Sequence, residues 1–349
     1  MRPRYSLCIL MFLLLSLSAF AQPPKAPALP PIAPGQARLV ETLGGKGGPC
    51  YALAARDGAE SLIVGGETGA LVSWPRAAWM GIRVGQTAPD IAPGHNGPIT
   101  ALAWSNGWLA SAGADRKVKL WAMPGRELKH TLDAADNVRA LALSPDAKVL
   151  AVGDDTNSIR LIDTTSGKET GKLDGHSDWI LCVDFAPDGT KLASGSYDGH
   201  LIIWNLATKK RIVESPLRLP PLPYYIPPPL VPVTSIAFRG DSKMIAAGLA
   251  NGVIHLLNPA DGKILRGLQQ NGHTSTVTSL AFHPSGTVLA SGSKDRSVKL
   301  WNPDNGQLLI SLDGHTSWVE GLTFLEKGTR LASASADQKV RIWDLTAKK

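Results

Sequence analysis

A short apolar phrase recurs seven times along this chain, and its spacing constrains the fold more than any other feature. The copies begin at Leu62, Leu109, Leu150, Leu192, Ile245, Leu289 and Leu331, at intervals of 47, 41, 42, 53, 44 and 42 residues. Most read as a branched aliphatic followed by small residues, as in Leu109-Ala110-Ser111 and Leu331-Ala332-Ser333. A fixed period in this range marks a propeller or a solenoid, in which each repeat is one supersecondary unit that buries its apolar surface on its neighbours. A chain of 349 residues has room for two or three ordinary domains, but a period that fills residues 36 to 349 argues for one closed array.

The sixth repeat shows the unit. Gly272-His273 is followed by the alternating run Val277 to Phe282, a turn at His283-Pro284-Ser285-Gly286, the phrase within Val288 to Ser293, a second turn at Lys294-Asp295-Arg296, and Ser297 to Trp301. A fourth run, Gln307 to Leu312, follows Asn305-Gly306. Short alternating runs separated by Pro, Ser, Gly and Asp are strand and turn signals, and no segment sustains a helical period. Each repeat is therefore expected to form a four-stranded antiparallel sheet.

At these residues the chain resembles the WD-repeat β-propeller family, whose blades carry Gly-His near the start and Trp-Asp near the end. Four repeats keep the strong form: Gly94-His95 with Trp121, Gly175-His176 with Trp204, Gly272-His273 with Trp301, and Gly314-His315 with Trp343-Asp344. The first repeat retains Trp74, whereas Ile162 and Leu257 replace the tryptophan in the third and fifth, and all three lack the Gly-His pair. The resemblance implies an all-β, seven-bladed propeller of four-stranded antiparallel blades. The seventh repeat stops after its third strand, and Gly35 to Leu43 matches the fourth-strand pattern of Gly306 to Leu312. The resemblance implies that this N-terminal strand completes the last blade and closes the ring, which protects both free sheet edges.

The strong repeats place His, Ser, Asp and Trp at regular spacing: His95, Ser111, Asp115, Trp121; His176, Ser194, Asp198, Trp204; His273, Ser291, Asp295, Trp301; and His315, Ser333, Asp337, Trp343. Ser, His and Asp within reach of one another suggest a hydrolase triad. A catalytic constellation occurs once, in a cleft, whereas this one recurs at the same place in four repeats. The resemblance implies instead a buried hydrogen-bonded chain from Trp through Ser and His to Asp, so no catalytic residue is assigned. His130, His200, His255 and His283 have no ligand spacing, and no metal site or cofactor is expected. The cluster Gly44-Gly45-Lys46-Gly47-Gly48 lacks the spacing and the following helix of a phosphate loop and reads as a turn.

The first 21 residues read as a secretory signal peptide: Arg2 and Arg4, an apolar run from Leu7 to Leu17, then Ala19-Phe20-Ala21. The run is short of the roughly 20 apolar residues of a membrane span, so no span is expected after cleavage. Export to the periplasm or the medium, as in a bacterial-type member of the family, follows as an expectation. Residues 22 to 35 read as a Pro-rich spacer, and 36 to 349 as the propeller. Removing residues 1 to 21 lowers the formal net charge from +7 to +5, with no run of like charges, so nucleic acid is not an expected partner. Cys50 and Cys182 start their repeats on nearly opposite sides of a ring, too far apart to pair, and read as small buried hydrophobes.

Function is expected on the narrower face, which propellers of this type offer as a docking platform. Mapped onto this chain, that face carries Tyr51, Arg139, Trp179, Leu181, Tyr197, Lys294, Trp318 and Glu320, rich in the residue types that anchor interfaces. The long interval between the fourth and fifth phrases holds a Pro-rich insertion, residues 215 to 232, with Tyr224 and Tyr225 among its apolar side chains. Prolines remove ladder donors and favour an extended arm, expected to project from the same face and bind a partner. The chain thus reads as a non-catalytic scaffold for a protein or peptide partner, a monomer within a complex. Two alternatives stand beside it. One is a carbohydrate or cell-wall binding propeller using exposed tryptophans. The other is a metal-dependent propeller hydrolase or lactonase, which needs inward carboxylates and histidines where the first strands offer residues such as Thr100, Ser235, Thr278 and Ser279.

Overall fold

The alternating runs of the repeats all become strands in a computed structural model, which describes residues 37–44, 48–55, 61–80, 88–218 and 229–346. Residues 1–36, which include the segments read from sequence as a signal peptide and a spacer, and most of the Pro-rich insertion, including Tyr224 and Tyr225, lie outside the described residues. The first strand, β1 (Arg38–Gly44), precedes the repeats. Blade 1 contains β2 (Cys50–Ala54), β3 (Ser61–Gly66) and β4 (Ala70–Pro75), then a short helix α1 (Arg76–Met80) and β5 (Asp90–Pro93). Blade 2 contains β6 (Ile99–Ser105), β7 (Trp108–Gly113), β8 (Lys117–Ala122) and β9 (Glu127–Asp133). Blade 3 contains β10 (Val138–Leu143), β11 (Val149–Asp154), β12 (Ser158–Asp163) and β13 (Glu169–Asp174). Blade 4 contains β14 (Ile180–Phe185), β15 (Lys191–Ser196), β16 (His200–Asn205) and β17 (Lys210–Pro216). Blade 5 contains β18 (Val233–Phe238), β19 (Ile245–Leu249), β20 (Ile254–Leu257) and β21 (Ile264–Leu268). Blade 6 contains β22 (Val277–Phe282), β23 (Leu289–Ser293), β24 (Val298–Trp301) and β25 (Leu308–Leu312). Blade 7 contains β26 (Val319–Leu325), β27 (Arg330–Ser335) and β28 (Lys339–Asp344), with β1 as its outer strand.

The seven sheets make a seven-bladed β-propeller. The recurring phrase is the second strand of each blade, covered on both sides by neighbouring blades, which is why small residues follow the aliphatic. In β15 the residues Leu192, Ala193, Ser194 and Ser196 have no exposed surface. A Cβ on Gly195 would lie 2.5 Å from Val233 Cγ1 of the next blade, and one on Gly153 would lie 2.5 Å from Ile180 Cγ2, so both positions require glycine. Apolar clusters accordingly straddle the seams: Leu201, Ile203 and Cys182 of blade 4 pack with Val233, Ile236 and Phe238 of blade 5. Each aliphatic side chain buried this way contributes about 1.5–3 kcal/mol.

The ring closes as the sequence pattern implies. β1 pairs antiparallel with β28, with Leu39 opposite Trp343 and Leu43 opposite Val340. A second clasp, not foreseen from sequence, is α1. Its Trp79 is buried in a cluster with Leu43 and Leu325, Arg76 pairs with Glu326, and Arg330 donates to the Trp79 carbonyl, so blade 1 is tied to blade 7 a second time.

Ser215 and Pro216, placed in the insertion by the sequence reading, are the last residues of β17. Pro216 stands opposite His200 at the end of an outer strand, where a missing ladder donor is tolerated. The Ser215 hydroxyl is buried and donates to the Gly262 carbonyl at 2.9 Å. Beyond it, Leu217 and Val231 are buried, and Val231 N donates to the Leu217 carbonyl at 2.8 Å, so the two feet of the insertion are pinned together.

Candidate functional site

The innermost strand of every blade carries a β-bulge between its first and third residues: Cys50/Ala52, Ile99/Ala101, Val138/Ala140, Ile180/Cys182, Val233/Ser235, Val277/Ser279 and Val319/Gly321. A bulge leaves one residue unpaired and re-aims its side chain. The seven unpaired residues, Tyr51, Thr100, Arg139, Leu181, Thr234, Thr278 and Glu320, all line the central channel, a cavity of about 350 Å³. Two residues further along each strand, Leu53, Leu102, Leu141, Val183, Ile236, Leu280 and Leu322 form a continuous apolar belt in the same channel.

The bulge ring divides by chemistry. Three of its members are threonines whose hydroxyls donate to the next blade: Thr100 to the Val138 carbonyl at 2.6 Å, Thr234 to the Val277 carbonyl at 2.6 Å, and Thr278 to the Val319 carbonyl. These side chains are committed to holding blades together. The other four, Tyr51, Arg139, Leu181 and Glu320, are named in the sequence reading as docking-face residues, and the structure lines the channel with them; none of them makes that bond among the described residues.

Around the ring lies a second circle. In every blade the turn before the third strand donates a backbone N–H to the loop leading into the first strand: Glu67 to Pro49, Ala114 to Pro98, Asp155 to Asn137, Tyr197 to Trp179, Ala250 to Pro232, Lys294 to Thr276, and Ala336 to Trp318. The repeated bond sets these side chains beside the channel mouth. Blades 2 and 5 present only Pro and Ala there. Trp179 and Tyr197 on blade 4 stack obliquely with ring centroids 5.8 Å apart, and Arg139 of blade 3 covers the Trp179 ring at 4.5 Å. Arg139 is held in turn by a two-pronged ion pair with Asp155. Across the next seams, Lys294 of blade 6 covers the Trp318 ring of blade 7 at 4.3 Å. Trp179, Tyr197 and Trp318 are 42, 54 and 49% exposed although each is fixed by neighbours, so large rigid surfaces face solvent at two places on one face.

All four His-Ser-Asp-Trp sets form the expected hydrogen-bonded chain. The Trp Nε1–H donates to the Ser Oγ at 2.8–2.9 Å, the Ser Oγ meets the His Nε2 at 2.7–2.8 Å, and the His Nδ1 meets the Asp at 2.8–2.9 Å. Each Asp also accepts the backbone N–H of the residue after its His, at Asn96, Ser177, Thr274 and Thr316. It accepts another in its own turn, from Lys117, His200, Ser297 and Lys339. Burial opposes the charge, but the bonds from His and backbone hold Asp115, Asp198 and Asp295 below the usual carboxylate range and Asp337 down at about 2. Ser111, Ser194, Ser291 and Ser333 have no exposed surface, so these serines meet no substrate.

The remaining titratable residues sit apart. His130 lies on β9, His200 begins β16, His255 lies on β20 and His283 follows β22. Among the described residues no three His, Cys, Asp or Glu side chains gather as metal ligands. Cys50 and Cys182 are free and buried, and burial pushes the Cys50 thiol up to about 12. No helix of the described residues is long and apolar enough to cross a membrane.

Sequence reasoning named four members of the bulge ring as face residues, and Thr100 and Thr278 as inward ones, but missed the ring itself and the apolar belt. Aligning the residue after the first aliphatic of each inner strand would have shown it. The one-against-two pairing that turns that residue into the channel is a property of the neighbouring strand.

The family model described as WD domain, G-beta repeat matches residues 90–122, 126–163, 167–205, 262–302 and 306–344. Each matched stretch begins at the outer strand of one blade and ends in the third strand of the next, so the sequence repeat itself staples consecutive blades. The chain is similar to WD repeat-containing protein SL1-17 of Schistosoma mansoni, 30% identical over 49% of this chain and 54% of that protein. It is also similar to Transcription factor unc-37 of Caenorhabditis elegans, 36% identical over 30% of this chain and 18% of that protein. WD repeat-containing protein 1 of Bos taurus is 31% identical over 35% of this chain and 21% of its own length. The chain spans about half or less of the length of these curated relatives.

Proposed function

Because the chain belongs to the WD domain, G-beta repeat family, we propose that it is a non-catalytic scaffold that docks a protein or peptide partner on the narrow face of its propeller. The observation that carries this reading is the pair of rigid aromatic stations. Trp179 with Tyr197 and Trp318 are exposed yet immobilised by Arg139 and Lys294, so little side-chain entropy is lost when a partner covers them. A cation already covers one face of each indole, which favours edge and side contacts with a polypeptide over the open stacking faces that a glycan uses. The serines of the His-Ser-Asp-Trp sets are sealed, which supports a role without chemistry.

The order of charged, apolar and small residues in the first 21 supports export through a signal peptide. In this reading the protein acts outside the cytoplasm as one copy within a complex, away from nucleic acid, with the Pro-rich insertion contributing to partner choice.

The test is capture from the native cell fractions with residues 22–349, a Trp179→Ala/Trp318→Ala double variant, and a form with residues 219–228 replaced by a Gly-Ser link. A partner retained by the parent and lost by the folded double variant supports face docking. Retention by all three forms places docking elsewhere and refutes the reading.

A further inference from the structure

The proposed docking face has one polar group whose chemistry is incomplete. Glu320 stands at the bulge position of blade 7, half-buried in the channel wall. Among the described residues it has neither a hydrogen bond nor an ion pair, unlike Arg139 at the same position of blade 3, which Asp155 satisfies. A carboxylate partly withdrawn from water without a fixed partner carries a desolvation cost, and a cation supplied from outside lowers it.

The groups facing Glu320 narrow what can supply it. Thr278, its neighbour in the ring on one side, has its hydroxyl engaged with the Val319 carbonyl. Tyr51, its neighbour on the other, belongs to the adjoining blade 1 and feels the Glu320 charge. Lys294 is the nearest fixed cation, but its ammonium is drawn over the Trp318 ring and makes no ion pair with Glu320. Burial pushes the Glu320 carboxyl above its ordinary value while Lys294 pulls it back only in part. Across the mouth stand Leu181 and Arg139, the latter's charge met by Asp155, and beneath lies the belt of Leu53, Leu280, Leu322 and their counterparts. A ligand here meets one carboxylate without a fixed counter-ion at the rim and aliphatic surface beneath it.

We propose that the channel mouth binds a lysine or arginine side chain of the docked partner, with Glu320 as its counter-ion and the apolar belt under its methylene stem. Long cationic side chains cover apolar surface with the stem while the charged end reaches a polar rim. The three threonines of the ring are spent on blade contacts, so the four remaining bulge residues set specificity, and Glu320 sets its sign. This inference rests on the docking reading above and adds the chemistry of one contact.

The probe is a set of blocked pentapeptides, Ac-Ala-Ala-X-Ala-Ala-NH2, with X as Lys, Arg, citrulline, norleucine or Glu, titrated against residues 22–349 by calorimetry up to millimolar concentration. The expected result is that Lys or Arg binds about tenfold to a hundredfold more tightly than citrulline or norleucine, the range of one charge-assisted hydrogen bond. Glu320→Gln, which keeps shape and removes a half-buried charge, is expected to fold and to erase that preference. Equal binding of Lys and norleucine, preference for the Glu peptide, an unaltered preference in Glu320→Gln, or no binding by any peptide each overturns the assignment. Loss of partner capture in the Trp179→Ala/Trp318→Ala variant is read separately, so the cation contact can fail while face docking stands.

Discussion

Blades 2, 4, 6 and 7 differ from blades 1, 3 and 5 in how they secure the turn before the third strand. In the first group one aspartate does two things: it accepts a backbone N–H from its own turn and reaches the leading loop through His and backbone. In the second group that chain is absent, and in blade 3 Asp155 instead accepts from Asn137 and Arg139. Thr68 accepts from Ala70 N at 3.4 Å and Asn251 from Val253 N at 3.2 Å, but neither bonds to the leading loop. The serine positions hold Val64, Val152 and Ala247, all buried and apolar. The shared backbone bond from turn to leading loop is therefore backed either by a satisfied polar chain or by apolar packing at the serine position, and the polar chain adds stability only while every member is present.

The largest expected effect tests that claim directly. Asp198→Ala strands the His176 ring and the N–H groups of Ser177 and His200, and is expected to cost about 3 kcal/mol. Thr156→Ala, at the matching position of blade 3, is expected to cost about 1 kcal/mol or less. Urea midpoints measure both, and equal losses would erase the distinction between the two groups of blades.

A matched substitution sharpens it. Trp301→Phe removes the N–H that bonds Ser291 at 2.8 Å and is expected to cost about 2 kcal/mol. Trp74→Phe in blade 1, where the indole packs with Cys50, Val64 and Val72, is expected to cost under about 1.5 kcal/mol. A larger loss at Trp74 than at Trp301 contradicts the account.

The pH response separates the chain from the seams. Burial holds the imidazoles of His95 and His315 below 6.5, against the pull of Asp115 and Asp337. The unfolded chain takes up those protons more readily, so this contribution is complete above pH 6.5 and shrinks as the pH falls. Asp184 behaves oppositely. It occupies a position filled by Ala54, Ala103, Ala142, Ala237 and Ala281 in five other blades, and accepts Phe238 N of blade 5 at 2.8 Å. Burial pushes its carboxyl from 3.8 up to about 7, so its favourable term is complete below 3.8 and lost as the pH rises through 7. Asp184→Asn is expected to raise the melting temperature at pH 8 and leave it unchanged near pH 4, as followed by circular dichroism. A decrease at pH 8 overturns the assignment. The smallest effect is expected for Lys117→Ala, which breaks an exposed pair with Asp133 and should leave the urea midpoint unmoved.

Much of this architecture was legible in the residues. The phrase period located the second strands because a layer covered on both faces accepts only aliphatic and small side chains, as in Leu192-Ala193-Ser194. The His, Ser, Asp and Trp sets were legible because four repeats carry them at like offsets. The pairing of β1 with β28 was legible as a fourth-strand pattern displaced to the other terminus. The clasp by α1 was not, because Arg76 and Trp79 gain meaning only beside Glu326 and Arg330.

The candidate site divides along the same line. The repeat positions of Tyr51, Arg139, Leu181 and Glu320 are legible in the sequence, since hydrophobic period and turn signals are short-range properties written in consecutive residues. Which of those residues are free to bind follows from contacts between separate strands and blades. The bulge that turns Glu320 into the channel and the Asp155 that satisfies Arg139 depend on the strand next door in the same blade, and the indole that draws Lys294 aside on the next blade. Such neighbours, and the burial they impose, arise only when strands have paired and blades have packed.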